Sequence, residues 1–229
     1  SLIHNQGLTP NDINPANLKL DQPYQQSASK GYEADGLLYL KSGSKEQNIL
    51  AKQGDDLRID WGYFYMVAGK ENTAYSVGNS TELRKNFVNG TLNSASLEGE
   101  DSNGNMALVR SHGKVKNVTD KIMLGYDDIY SIQYFGTNLR PYWNSKGDRT
   151  IEAEMLAAYN EYDKLLARCY AFDKKLMEDA SAAGGKEYAE LCALAYRQSI
   201  AAHKLVEAPN GDLLWLSKEN NSNGCINTV

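Results

Sequence analysis

Cysteine is scarce in this chain, and so are histidine, tryptophan and phenylalanine: 229 residues carry three Cys, three His, three Trp and four Phe. The cysteines, Cys169, Cys192 and Cys225, all fall in the last third, and their spacing fits neither a zinc site nor a C-x-x-C redox pair. His4, His112 and His203 are remote from one another, so no H-E-x-x-H or comparable metal pair exists. Also missing are a G-x-S-x-G nucleophile elbow, a P-loop and a G-x-G-x-x-G turn. No metal and no cofactor is therefore expected. No apolar run is long enough for a membrane span. A net charge of −5 provides no electrostatic reason to bind nucleic acid or an anionic membrane. No signal-peptide pattern is visible, and Ser1 does not read as a natural start, which leaves room for a leader before it.

What is present is ordinary in bulk and skewed in detail. Hydrophobic residues make up 41% and charged ones 23%, as in a soluble globular protein whose length allows one large domain or two modest ones. Tyrosine is abundant, at 15 residues. An apolar ring with a polar tip suits interfaces and ligand clefts, and it also fills β-strands. Both readings stand.

Residues 1–34 are polar and turn-rich and read as an extended leading segment. From 35 to 148 the chain reads as an antiparallel β-sandwich, with strand-like runs at 36–40, 47–51, 57–68, 73–77, 106–110, 120–126 and 129–135. Gly, Asn and Ser turns separate these runs, as in antiparallel sheets. Arg58 to Met66 partly alternates polar and bulky side chains, as a strand with one buried face does. Residues 89–105 read as a long polar loop, and almost nothing before Asp148 reads as helix. Asp101-Ser102-Asn103-Gly104-Asn105 vaguely resembles a calcium loop, but His112 stands where the bidentate Glu belongs, so a solvated loop is expected. Four N-x-S/T sequons, at Asn79, Asn89, Asn117 and Asn220, would matter only in a eukaryotic secretory host.

At 149–229 the period changes from two to three-to-four, and 150–206 reads as two antiparallel helices. Thr150 can cap, and Glu152 and Glu154 suit the positive end of the helix dipole. Ile151, Met155, Tyr159, Tyr162, Leu166, Cys169, Phe172 and Leu176 form one apolar stripe until Gly184-Gly185 stops the helix. Tyr188, Leu191, Ala195, Gln198, Ala202 and Leu205 form a second, ending before Pro209. Cys169 and Cys192 are expected to be buried free thiols, with a disulfide between the helices as the alternative. A turn at Pro209-Asn210-Gly211-Asp212 precedes a strand-like Leu213 to Leu216, and no closing element follows. A single helical hairpin cannot bury both faces, so this region reads as the start of a larger helical domain.

Several polar clusters could carry chemistry. Asp127 and Asp128 lie beside Tyr126 and Tyr130; Arg140, Tyr142, Trp143 and Asn144 lie where strands hand over to helices. Arg197 and Gln198 sit in a helix of small and apolar residues, and Glu219 and Asn220 follow the last strand-like run. Buried Arg or Glu is rarely tolerated without a partner. These clusters are therefore either ion pairs that stitch domains together or the walls of a ligand cleft.

The strings Asp60-Trp61-Gly62-Tyr63, Tyr126 to Gly136, Leu139 to Trp143, Leu194 to Gln198, and Ser217 to Gly224, in that order, resemble the glutaminase A family of secreted or periplasmic proteins. The resemblance covers most of the chain from about Asn14 to Val229. It implies an α+β chain: a β-sandwich followed by a helical hairpin that begins an incomplete (α/α) toroid of the six-hairpin glycosidase type. It also implies a periplasmic or extracellular location, hydrolysis of glutamine to glutamate and ammonia, and the rest of the same polypeptide after Val229 as a partner. No family catalytic residue carries over to a position here.

Without a Ser or Cys nucleophile motif, the simplest chemistry is a water activated by one carboxylate while a second acid protonates the leaving group. Asp127, Asp128 and Glu219 are the candidates, and Arg140 or Arg197 could hold a substrate carboxylate bidentately. Tyr142, Trp143, Gln198 and Asn220 complete the expected substrate-binding set, in a cleft where the β part meets the helices. A glycan-binding or glycoside-cleaving module, with tyrosines and Trp143 as sugar platforms, is the other reading, and a scaffold without activity the third. The chain alone is expected to be inactive.

Overall fold

A computed structural model describes residues 2–5, 27–49, 61–92, 98–101 and 105–217. Asp60, Glu219, Asn220, Cys225 and most of the Asp101–Asn105 loop lie outside them. The chain divides into two units, Ser1–Tyr130 and Ser131–Val229.

The first unit is built from two antiparallel sheets. Strands β1 (Leu2–Asn5), β2 (Ser27–Ala34), β3 (Leu37–Ser44), β4 (Tyr63–Gly69), β5 (Thr73–Val77), β6 (Glu98–Asp101), β7 (Asn105–Arg110) and β8 (Met123–Asp127) sort into a sheet β1-β7-β5 and a sheet β6-β2-β3-β4-β8. Alternation explains the core. Leu38 and Leu40 on β3 and Phe64, Met66 and Ala68 on β4 point to one side, where they cluster with Tyr75, Val77, Met106 and Leu108 of the other sheet. Gly31 on β2 admits the Tyr75 ring, since a Cβ there would sit 2.2 Å from Tyr75 Cε2.

The leading segment thus supplies two strands, where only an extended run was expected. The register of β2 on β3 comes from Asp35-Gly36, both at positive φ (51° and 77°), as a two-residue hairpin turn requires. Strand β4 is buried on both faces, Tyr65 and Val67 as well as Phe64 and Met66, against the single buried face expected from its sequence. Within the run expected as a polar loop, residues 98–101 pair with β2. A helix, α1 (Ser80–Val88), also stands where none was expected. Asn79 caps it by accepting from the Thr81 and Glu82 amides at 2.9 and 3.4 Å, and Leu83 alone is buried. One buried side chain in nine residues leaves no stripe to read.

In the second unit, β9 (Ile132–Tyr134) and β10 (Thr137–Leu139) form a hairpin. A 3-10 turn at Tyr142–Asn144 follows, and Thr150 caps α2 (Ile151–Asn160) by accepting from the Ala153 amide. Helix α3 (Tyr162–Ala202) carries non-helical backbone at Gly185 (φ 83°, ψ −176°), a region open to glycine alone. The rings of Phe172 and Tyr196 lie 5.1 Å apart. Twenty-four residues of straight helix would separate them by about 36 Å, so the two arms, 162–184 and 186–202, double back as the expected antiparallel hairpin. The second arm stops at Ala202, earlier than its periodicity suggested. Strand β11 (His203–Glu207) follows and pairs with β12 (Leu213–Ser217) around the Pro209-Asn210-Gly211-Asp212 turn. Val206 is buried there and also bridges Pro141. Pairing with β12 satisfies this backbone where helix would have continued. Among the described residues no helix is long and apolar enough to cross a membrane.

Met66→Ala should lower stability by about 2–5 kcal/mol, because it empties the fully enclosed centre between the sheets. Leu213→Ala, at an exposed position, should stay within about 0.5 kcal/mol. Urea midpoints at unchanged m-value measure both.

Candidate functional site

In the first unit, two of the strings singled out in the sequence are tied to each other. The indole N–H of Trp61 is shared between the carbonyls of Asp128 (2.9 Å) and Tyr130 (3.0 Å). The Gly62 amide donates to Gln47 Oε1 at 2.5 Å. Gly62 is at φ 85°, and a Cβ there would lie 2.6 Å from the Asp127 carbonyl, so only glycine permits the approach. The clamped segment is bent: Ile129 sits at φ 56°, a costly conformation for a β-branched residue, and its amide donates to Asp127 Oδ1 at 3.0 Å. Asp127 therefore spends one oxygen on holding the bend, and Asp128 spends its backbone carbonyl on Trp61.

A second polar centre in this unit was not expected from sequence. Arg110, at the end of β7, donates to the Gly69 carbonyl (2.5 Å), the Glu71 carbonyl (2.6 Å) and Thr73 Oγ1 (2.5 Å), the corner where the chain leaves one sheet for the other. Asp120 holds the guanidinium in place through Nε (2.7 Å) and an NH2 group (3.1 Å), with His112 Nε2 3.1 Å from the same carboxylate. The Arg110 hydrogen bond holds the Asp120 carboxyl below its usual range.

In the second unit, Tyr142 and Trp143 line a cleft of about 310 Å³ with Ser145, Lys146, Asp148, Arg149 and Glu207. Glu207 closes it from β11, accepting from Ser145 Oγ at 2.8 Å and pairing with Lys146. Lys146 first, then Ser145, holds the Glu207 carboxyl below its usual range. Both donors anchor the carboxylate at the wall of the cleft. Lys146 lies 61 residues away in sequence, so no local pattern announced this pair. Arg140 packs over Gly147, where a Cβ would come 3.1 Å from its Nε.

Arg197 lies elsewhere in this unit, on a groove of about 1160 Å³ between the two arms of α3. Both Arg197 and Gln198 are exposed, and among the described residues of α3 only Ala180 and Ala189 are buried. Cys169 and Cys192 are free thiols, as expected, but Cys169 is exposed. The second unit thus brings Tyr142 and Trp143 together in one cleft and places Arg197 on a separate groove. Asp127 and Asp128 belong to the first unit, and Glu219 and Asn220 fall outside the described residues. Among the described residues no group of three or more His, Cys, Asp or Glu side chains could hold a metal ion.

Asp120 and Glu207 both titrate below their usual values of 3.8 and 4.5 in the folded chain. Their stabilisation is therefore complete above those values and is lost as pH falls through the folded ones. Asp120→Asn should cost about 1–3 kcal/mol at pH 7. Both it and Glu207→Gln should show a shallower fall of the urea midpoint between neutral pH and acid than the parent chain. Parallel pH profiles for parent and variants would contradict this.

The family model described as "Domain of unknown function (DUF5127)" matches residues 12–179. The model described as "Glutaminase A six helical-hairpin domain" matches residues 185–229, so the second match begins at Gly185, where α3 turns. A curated relative from Aspergillus oryzae (strain ATCC 42149 / RIB 40), named "Glutaminase A", is 27% identical over 215 residues. The match covers 87% of this chain and 30% of the relative, so the chain spans about 30% of that protein's length. No solved structure matches the chain.

Proposed function

We propose that this chain, which belongs to the DUF5127 family and is glutaminase A-like, forms the first part of a hydrolase that releases ammonia from glutamine. The observation that supports this reading is the order of the two matches along one chain, the second beginning where α3 turns back. The relative's name supplies the reaction class. In that reaction water adds to the side-chain amide carbon, the C–N bond breaks, and the nitrogen leaves as ammonia with a proton from an acid. A carboxylate base and a second acid meet these needs without a Ser or Cys nucleophile.

Glu219 is our leading candidate for the base, because Asp127 already holds the Ile129 amide. Arg140, beside Tyr142 and Trp143, is the candidate clamp for the substrate's α-carboxylate, since a guanidinium matches a carboxylate with two parallel hydrogen bonds. We place the protein outside the cytoplasm, in the periplasm or beyond. The aromatic lining of the polar cleft, Tyr142 and Trp143, favours glycan binding as the second reading.

A longer polypeptide that continues past Val229 should release ammonia from glutamine, while residues 1–229 alone should not. In the longer protein Glu219→Gln should lower kcat by about 10²–10⁴ at unchanged melting temperature, and Arg140→Leu should raise KM. Robust turnover by residues 1–229 alone would overturn the division of labour. Binding on a glycan array without ammonia release would select the second reading.

A further inference from the structure

We propose that β8 is a self-association edge, along which two copies of this chain pair antiparallel across a two-fold axis at Leu124. In that pair Leu124 meets Leu124, Ile122 meets Tyr126, and Lys121 meets Asp127 of the other copy.

The two sheets of the first unit differ in width, three strands against five. Their shared core is filled from β3 and β4 on one side and from β5 and β7 on the other. Strand β8 continues the wider sheet beyond β4, with Tyr126 opposite Phe64 and Leu124 opposite Met66. Opposed residues in a sheet share a face, and the Tyr126 and Phe64 rings lie 5.0 Å apart. Leu124 and Tyr126 therefore point to the core side, yet they are 55% and 68% exposed. Ile122, two residues earlier, is 38% exposed, whereas Met66 on the neighbouring strand is fully buried. The narrower sheet does not cover β8, and a row of three apolar side chains is left in water on the margin of the core.

Backbone points the same way. Among the described residues β4 is the only strand paired with β8, so the other edge of β8 presents amides and carbonyls without a ladder partner. Such edges are usually blunted by charge, proline or a bulge. From Ile122 to Tyr126 there is neither charge nor proline. The opposite edge of the same sheet, β6, reads Glu98-Gly99-Glu100-Asp101, an acidic run that opposes pairing with a copy of itself.

Charge selects the occupant and the register. Centred on Leu124, an antiparallel pair closes the apolar row against itself and sets Lys121 opposite Asp127 at both ends. Centred on Gly125, it would put Ile122 against Asp128 and Lys121 against Ile129 at the bend. Centred on Met123, it would put Tyr126 against Asp120, which Arg110 already holds. Apolar against apolar and plus against minus in one register is the self-complementarity that an isologous two-fold contact requires.

Sedimentation velocity on residues 1–229 and on the longer polypeptide tests the association. Both should pass from monomer to dimer between about 1 and 100 μM, the range of an interface below the standard size. Leu124→Lys, which sets like charges together at the axis, should weaken the dimer at least about tenfold and leave the monomer's urea midpoint unchanged. Cysteine crosslinking tests the register in chains whose Cys169, Cys192 and Cys225 are replaced by Ser. Leu124→Cys should form a disulfide with its own copy on mild oxidation, because opposed Cα atoms lie about 4.5–5.5 Å apart. Ile122→Cys should not crosslink alone but should do so when mixed with Tyr126→Cys. Monomers at every concentration would overturn the proposal. So would a dimer of residues 1–229 that the longer polypeptide does not form, since the rest of the chain would then be what covers β8. A dimer indifferent to Leu124→Lys, or one in which Leu124→Cys fails to crosslink, would overturn the pairing at β8.

Discussion

Leu38 and Leu40 on β3, with Phe64, Met66 and Ala68 on β4, meet Tyr75, Val77, Met106 and Leu108 across the gap between two sheets. This contact orders the first unit. It sets the register of four strands at once, because a slip of one residue would turn each set of side chains toward the wrong face. It also fixes which glycines the fold can use. Gly31 must stay bare to admit Tyr75 from the opposite sheet.

Two polar devices depend on that packing and repay it with geometry. The chain must cross from β4 in one sheet to β5 in the other, and the backbone carbonyls exposed at that corner need donors. Arg110 supplies them from β7, which the core holds alongside β5, and Asp120 keeps the guanidinium aimed. At the far end of β4, Trp61 and Gly62 clamp the bend at Asp127–Tyr130. The strained Ile129 persists there because Trp61, Gly62 and Asp127 all constrain the same few residues.

The second unit follows another logic. Its β11–β12 ribbon is tied to the 3-10 turn by the Pro141–Val206 bridge and by Glu207, while α3 presents two arms with little between them. Across the described residues the charged side chains divide into carboxylates committed to donors, Asp127, Asp120 and Glu207, and cations without an ion pair, Arg168 and Arg197.

The presence of a strand within 57–68, though not its burial on both faces, the Thr150 cap with its acidic first turn, the Gly184-Gly185 break and the strand at Leu213–Ser217 were legible from residue order, since each depends on neighbours within a turn or a strand. The Asp35-Gly36 hairpin carried a readable signal that the polar character of its first strand obscured. Helix α1 had no stripe to read, and β11 kept helical spacing until its pairing with β12 decided otherwise. Glu207 with Lys146, Asp120 with Arg110, and the exposure of Arg197 had no local signature. The ion pairs span 61 and 10 residues, and the exposure depends on what packs against the helix. Local propensity and period thus determined the kinds of element this sequence makes. Which polar groups meet, and which stay open, was decided only by tertiary structure, because desolvation and ion pairing depend on distances in space that chain order does not encode.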